Sequence, residues 1–207
     1  MKKCTTIVLV LIATIAVAQD QYTKGMQKAF LLWGEGKPME ASNMFERISA
    51  VEKDNWLPAY YTAQVNTVIS FGEKDKDRLE RQLKKAQDFV DKAAAISPSN
   101  PEILVQQAMI HTAYVAFDGV TYGGMLSPEI LGLYNKALAI APNNPRVVFS
   151  KAEWDMGTAK YFGQDTTPFC AEVERSLELF ATFKPASAFY PNWGKGRAEI
   201  TSKTCIN

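Results

Sequence analysis

This chain of 207 residues has a single histidine, only three cysteines and no surplus of either charge, and each shortage removes a class of function. One imidazole cannot build a metal site that needs several. His111 lies in "MIHTAYVAF", mid-helix among apolar neighbours, where a lone general base would need an orienting partner that the local sequence does not supply. It reads as a packed structural residue. No Gly-x-Gly-x-x-Gly or Walker-type sequence is present, no Cys-x-x-Cys, and no Ser-His-Asp or Cys-His context. The carboxylate pairs Asp75 with Asp77 and Glu172 with Glu174 stand two apart and point to different helix faces, which makes them poor acid/base couples. The inventory points to a protein that is not an enzyme, with no cofactor and no metal.

Charge and apolar runs are equally spare. The chain carries 23 basic against 22 acidic residues, so it offers neither nucleic acid nor an anionic membrane a strongly basic face. The one sustained apolar stretch, Thr5 to Ala18, follows Lys2 and Lys3 and ends in Ala16-Val17-Ala18. That order reads as a signal peptide over residues 1–18, and the run falls short of the ~20 residues a membrane-spanning helix requires. A periplasmic or secreted protein with no stable membrane insertion after cleavage is expected. Cys4 precedes the apolar core and leaves with it. Cys170 and Cys205 remain, and in an oxidising compartment they read as a disulfide. Residues 19–207 suffice for one domain with a real core.

What is present is a repeat. "AISPSNPEILVQQA", Ala95 to Ala108, returns 44 residues later as "AIAPNNPRVVFSKA", Ala139 to Ala152, with six identities in fourteen positions. A fixed period of this size marks stacked helical pairs. Weaker copies place Ala63 and Ala29 upstream in the same register and Pro185 downstream. Within the units, Tyr22, Met26, Ala29 and Trp33 share one helical face and Ala41, Phe45, Ile48 and Val51 another. Leu79, Leu83, Ala86, Val90, Ala93 and Ile96 form a third stripe. Ala29, Ala63, Ala108 and Ala152 recur at one place in each first helix, where a small side chain lets paired helices approach.

These features resemble the tetratricopeptide repeat family. The resemblance rests on the 34-residue first unit, Tyr22 to Asn55, on Ala29, on "GKPMEASNMFERI" with Ala41 and Phe45, and on the endings "KAAAISPSNP" and "KALAIAPNNP". It implies an all-α fold, a right-handed α-solenoid of about four helix-turn-helix units with a C-terminal capping helix. The units fall at about 22–55, 56–100, 101–144 and 145–187, with the cap at 188–207. Units after the first run to 43–45 residues, so about ten extra residues separate or lengthen their helices.

In that family the first helices line a groove for a partner. The resemblance carries this role to Met26, Phe30, Trp33, Tyr60, Gln64, Val105, Met109, Thr112, Phe149, Glu153 and Met156. They line a groove, or they are core beneath a covering tail; helical spacing does not separate the two. The family's lysine and asparagine clamp for a terminal carboxylate is not reproduced. The leading expectation is an exported scaffold or adaptor that binds a protein or peptide. The alternative is a small-ligand or glycan binder using Trp33, Tyr60 and Tyr122 as stacking platforms. "FDGVTYGGMLSP", Phe117 to Pro128, reads as a glycine-rich loop, either a connector or part of a binding edge. "EKDKDRLERQLKK", Glu73 to Lys85, reads as a solvated helix face.

"NWGKGRAEITSKTC", Asn192 to Cys205, reads as the capping helix. Antiparallel to the last repeat helix, it would bring Cys170 and Cys205 to one end, since each lies 13 residues from its helix's far end. The seat at Ala108 has a direct test. Ala108→Leu should lower the free energy of unfolding by about 1–3 kcal/mol through overpacking, measured by urea denaturation; an unchanged midpoint would remove the seat from the argument.

Overall fold

The computed structural model describes residues 20–205; the signal-peptide reading, Cys4 and the last two residues lie outside them. All regular structure of the described chain is helical, with no strand among the described residues. Residues 20–34 form α1, followed by α2 (Pro38–Val51), α3 (Trp56–Ser70), α4 (Lys76–Ile96) and α5 (Pro101–Phe117). Then come α6 (Gly119–Ile140), α7 (Pro145–Tyr161), a 3₁₀ turn (Thr167–Phe169), α8 (Cys170–Thr182) and α9 (Lys195–Lys203). Helices pack in serial order: α3 against α2, α4 and α5, then α5 against α6 and α7, then α7 against α8. This is the stacking of a helical-repeat solenoid.

The repeated corners work as helix starts. Asn55, Asn100 and Asn144 each accept a hydrogen bond from the backbone N–H two residues on, and Pro101 and Pro145 occupy the first helical position, where no N–H is required. Asp75 and Asp118 cap α4 and α6 in the same manner from three residues away. The four alanine seats are closed to solvent: Ala29, Ala63 and Ala108 at 0% and Ala152 at 3%. The extra residues of the later units lengthen helices rather than loops, giving α4 21 residues and α6 22.

One element has no counterpart in the sequence reading. Glu102 and Arg146 occupy the second position of α5 and α7, equivalent places in successive repeats, and both side chains are 0% exposed. Arg146 Nε donates to Glu102 Oε2 at 2.7 Å and Nη2 to Oε1 at 2.6 Å, while Asn144 Nδ2 donates to Oε1 at 2.6 Å. The Phe183 ring lies 4.4 Å from the guanidinium carbon. Burial alone would lower the Arg146 pKa, but its hydrogen bonds and charge contact with Glu102 hold it above the ordinary arginine value.

The chain after α8 folds back over the first helices. Phe189 stacks on Phe30 at 6.0 Å and meets Tyr22 edge-on at 5.6 Å, and its carbonyl accepts from Tyr61 Oη at 2.9 Å. Trp193 Nε1 donates to Tyr60 Oη at 2.8 Å. The cap α9 then packs on α8, with Ala198 beside Phe149 and Phe180 and with Arg197 paired to Glu153. The capping helix is shorter than expected because Gly194 turns the chain at φ +103°, and a Cβ there would lie 2.9 Å from the Phe180 ring. Cys170 and Cys205 form a disulfide with an S–S distance of 2.05 Å, closing a loop of 35 positions.

Breaking the ion pair on one side leaves a buried charge without its counter-charge. Arg146→Met should destabilise the protein by about 3–5 kcal/mol, and adding Glu102→Leu should restore much of the loss. Urea melts of the two single variants and the double variant check this; a single variant with the wild-type midpoint would contradict it.

Candidate functional site

Of the residues assigned to a partner groove, Phe30, Tyr60, Phe149, Glu153 and Met156 meet the C-terminal segment. Met26, Tyr60, Gln64, Val105, Phe149 and Met156 are buried, while Phe30, Trp33, Met109, Thr112 and Glu153 are partly covered. Phe30 meets Phe189, Tyr60 meets Trp193, Phe149 meets Ala198, Glu153 meets Arg197, and Met156 shares a cluster with the disulfide. Trp33 packs against the core of the first two units. Thr112 Oγ1 donates to the Ala108 carbonyl at 2.8 Å. Burial raises the Tyr60 phenol far above its ordinary pKa, which leaves it a neutral hydroxyl accepting the Trp193 bond. The chain's own C-terminal segment thus covers part of that residue set.

An open groove lies elsewhere, between α4 and the first half of α6, floored by α5. Its volume is about 630 Å³. Leu83 enters from α4, Ile110, His111 and Tyr114 from α5, and Tyr122, Met125 and Leu126 from α6. Glu80, Lys84, Gln87 and Asp88 form a polar rail along α4. The site occupies the added helix length of the second and third units, so the same feature that departs from the 34-residue pattern makes room for it. The Tyr114 and Tyr122 rings are in contact, 5.2 Å between centroids and tilted by 51°. Of the aromatic platforms read from sequence, only Tyr122 lies in this groove; Trp33 and Tyr60 belong to the other face.

The segment Phe117 to Pro128 is therefore not a loop. Asp118 accepts from the Thr121 N–H at 3.0 Å and from its hydroxyl at 2.6 Å, and α6 begins at once at Gly119. The glycines that read as loop composition sit in a helix because Asp118 starts it and the apolar residues beyond Pro128 anchor it: Ile130, Tyr134 and Ala137 are buried.

His111 borders the groove in a fixed state. Gln87 Nε2 donates to Asp91 Oδ1 at 2.8 Å and to Gln107 Oε1 at 2.7 Å, while Gln107 Nε2 donates back to Gln87 Oε1 at 2.7 Å. The carboxylate of Asp91 accepts only, which orients both amides and makes Gln107 Nε2 the donor to His111 Nε2 at 2.9 Å. The ring proton then sits on Nδ1, 3.5 Å from Glu129 Oε2. Burial lowers the His111 pKa, and the Glu129 charge opposes that only in part. Among the described residues no group of three or more His, Cys, Asp or Glu could hold a metal ion, and no helix is long and apolar enough to cross a membrane.

No family model matches the chain, and no curated protein matches it either. Among solved structures, the chain is similar to the HusA haemophore from Porphyromonas gingivalis, with a TM-score of 0.78 and 24% identity over 89% of this chain and 92% of that one. It is similar more distantly to a thermophilic TPR protein of Thermus thermophilus, with a TM-score of 0.43 and 11% identity over 89% of this chain and 98% of that one. The first likeness establishes a shared fold.

A histidine whose folded pKa lies below its unfolded value favours folding above the unfolded pKa of about 6.5. That contribution is lost as the pH falls below it, because the unfolded chain takes up the proton more readily. Wild-type stability should drop more between about pH 7.5 and 5.5, either side of that value, than the stability of His111→Gln, measured by urea melts at both. Equal losses would mean that His111 is not held neutral by its surroundings.

Proposed function

We propose that this chain is an exported binding protein whose ligand is a flat, mainly apolar molecule of the haem and porphyrin class, held in the groove between α4 and α6. One observation carries the reading: the groove of about 630 Å³, walled by Tyr114, Tyr122, Met125 and Leu126 above the buried Leu83 and Ile110. Its size falls in the range of about 300–1,000 Å³ usual for small-molecule sites. The Tyr114 and Tyr122 rings, in contact with each other at 5.2 Å, give the groove an aromatic wall on which a planar ring system can pack, and Met125 supplies an adaptable apolar contact. The structure named a haemophore shares the fold over most of both chains, which supports the same ligand class. Export rests on the N-terminal apolar segment and on the Cys170–Cys205 bond, which an oxidising compartment maintains.

In this reading the protein binds without catalysing a reaction. His111 Nε2 is engaged by Gln107, so retention comes from apolar and ring contacts rather than from that nitrogen. Haem and iron-free protoporphyrin IX should therefore bind with similar affinity. The protein-partner reading keeps one specific support. Tyr161 and Phe162 are 63% and 67% exposed, and the Tyr161 ring lies against Gly119 at the start of α6. A partner contacting that corner would sit beside the groove.

Titration of the purified protein with haem and with protoporphyrin IX, followed by Soret absorbance and tryptophan fluorescence, tests the proposal. Saturable binding of both is expected, weakened about tenfold or more by Tyr122→Ala combined with Met125→Arg and unaffected by Trp33→Ala. Absence of saturable binding, or equal loss with Trp33→Ala, would overturn it.

A further inference from the structure

The first half of α6 is built unlike every other wall of the groove. From Gly119 to Glu129 no residue is buried; the first that is buried is Ile130. Pro128 stands inside the helix and has no N–H to give the Gly124 carbonyl, which interrupts the hydrogen-bond ladder between the two halves. Gly123 and Gly124 add flexibility without a steric reason. A Cβ at either would meet nothing within 4 Å, and neither has a positive φ. Alanine would fit at both and favour the helix, so the pair weakens this turn with no packing gained in return.

This weak segment carries Tyr122, Met125 and Leu126, one whole side of the groove. Met125 is 62% exposed and Val120 89%, so little apolar burial holds the segment down. Its attachments are made by half-buried residues only: Leu126 packs against the cluster of Val105, Ala108 and Ile130, the Tyr122 ring meets Tyr114 at 5.2 Å, Gly119 lies against Tyr161, and Asp118 caps the helix start. The opposite wall, α4, is a continuous helix with Leu79, Leu83, Ala86, Val90 and Ala93 buried along its length. The groove thus has one rigid side and one poorly anchored side.

We propose that residues 119–127 are a lid over the groove, hinged at Pro128 and loosened at Gly123 and Gly124, whose local unwinding separates Tyr122 from Tyr114 to admit and release the ligand. Segments with little buried apolar surface open at low free-energy cost, and hinges sit where an element's ladder is already broken. The role of the lid in ligand exchange rests on the binding reading above; its opening does not.

Hydrogen–deuterium exchange on the free protein decides the opening. Helical amides of residues 123–127 should exchange faster than those of residues 132–140. Pro128→Ala, which restores the missing donor, and Gly123→Ala with Gly124→Ala should each slow exchange in the segment, the double variant by about tenfold. Equal protection of the two halves in the wild type, or variants that leave the exchange unchanged, would overturn the lid. Stopped-flow release of protoporphyrin IX should slow in parallel with exchange in both variants; unchanged release rates would remove the gating role. A protein that binds no porphyrin but shows the fast segment would overturn the binding reading and leave the lid standing.

Discussion

The buried pair of Glu102 and Arg146 is the constraint on which the arrangement of the later units depends. Each residue sits at the second position of a helix that begins with Asn-Pro, so their backbones are already fixed when the side chains meet. Two charges at 0% exposure are tolerable only when they are paired and hydrogen-bonded to each other, and here the pairing runs through Arg146 Nε and Nη2 while Nη1 has no hydrogen-bond acceptor. Glu102 accepts from Arg146 through both oxygens and from Asn144. Asn144 in turn caps α7, so one side chain joins the helix start to the charge pair. A rotation of α7 against α5 would break all of these contacts together. The pair specifies how the third unit sits on the fourth more than it adds to stability, since an apolar replacement of both residues would fill the same space.

That geometry also bears on the face that the tail covers. The Arg146 guanidinium lies against Phe183 and near Tyr190, aromatic residues of the returning tail. From there Phe189 and Trp193 reach the aromatic cluster of α1 and α3, and the disulfide ties the far end of the tail to α8. The tail thus has aromatic anchors at one end and a covalent bond at the other. A disulfide across 35 positions is worth roughly 3–4 kcal/mol on the chain-entropy model, whose mechanism is disputed. The returning tail removes apolar surface of α1 and α3 from solvent, and α9 covers apolar surface of α7 and α8.

Helix starts, alanine seats and the disulfide were legible in the sequence because each depends on local punctuation or on the spacing of a few residues. The pair of Glu102 and Arg146 was not, although its signal was present: opposite charges at equivalent positions of successive repeats, each in an otherwise apolar helix start. The path of the tail was hidden for another reason. Residues 183–194 have no helical period, so nothing local says where their aromatic side chains go, yet four aromatic residues in an irregular stretch are themselves a sign of docking. The groove was missed because "GVTYGGMLSP" has the composition of a loop. Asp118 and the buried Ile130, Tyr134 and Ala137 override that preference from either end.

In the proposed reading, the two faces of the stack divide the work between permanent and exchangeable contacts. On the side covered by the tail the aromatic rings meet one another and the tail, with hydrogen bonds satisfying Tyr60, Tyr61 and Trp193, and such contacts do not exchange readily. On the other side the lengthened α4 and α6 overhang α5, and their apolar surface is completed by no residue of the described chain. Exposed apolar surface that is concave, bounded by a polar rail and walled by two tyrosines is poorly suited to water and well suited to a flat apolar solute. The near-neutral charge of the chain fits this division, because selection then rests on shape and ring contacts rather than on a long-range field. Affinity in such a site is set by how closely the α6 wall can approach the solute, and that wall is the one least held by the rest of the fold.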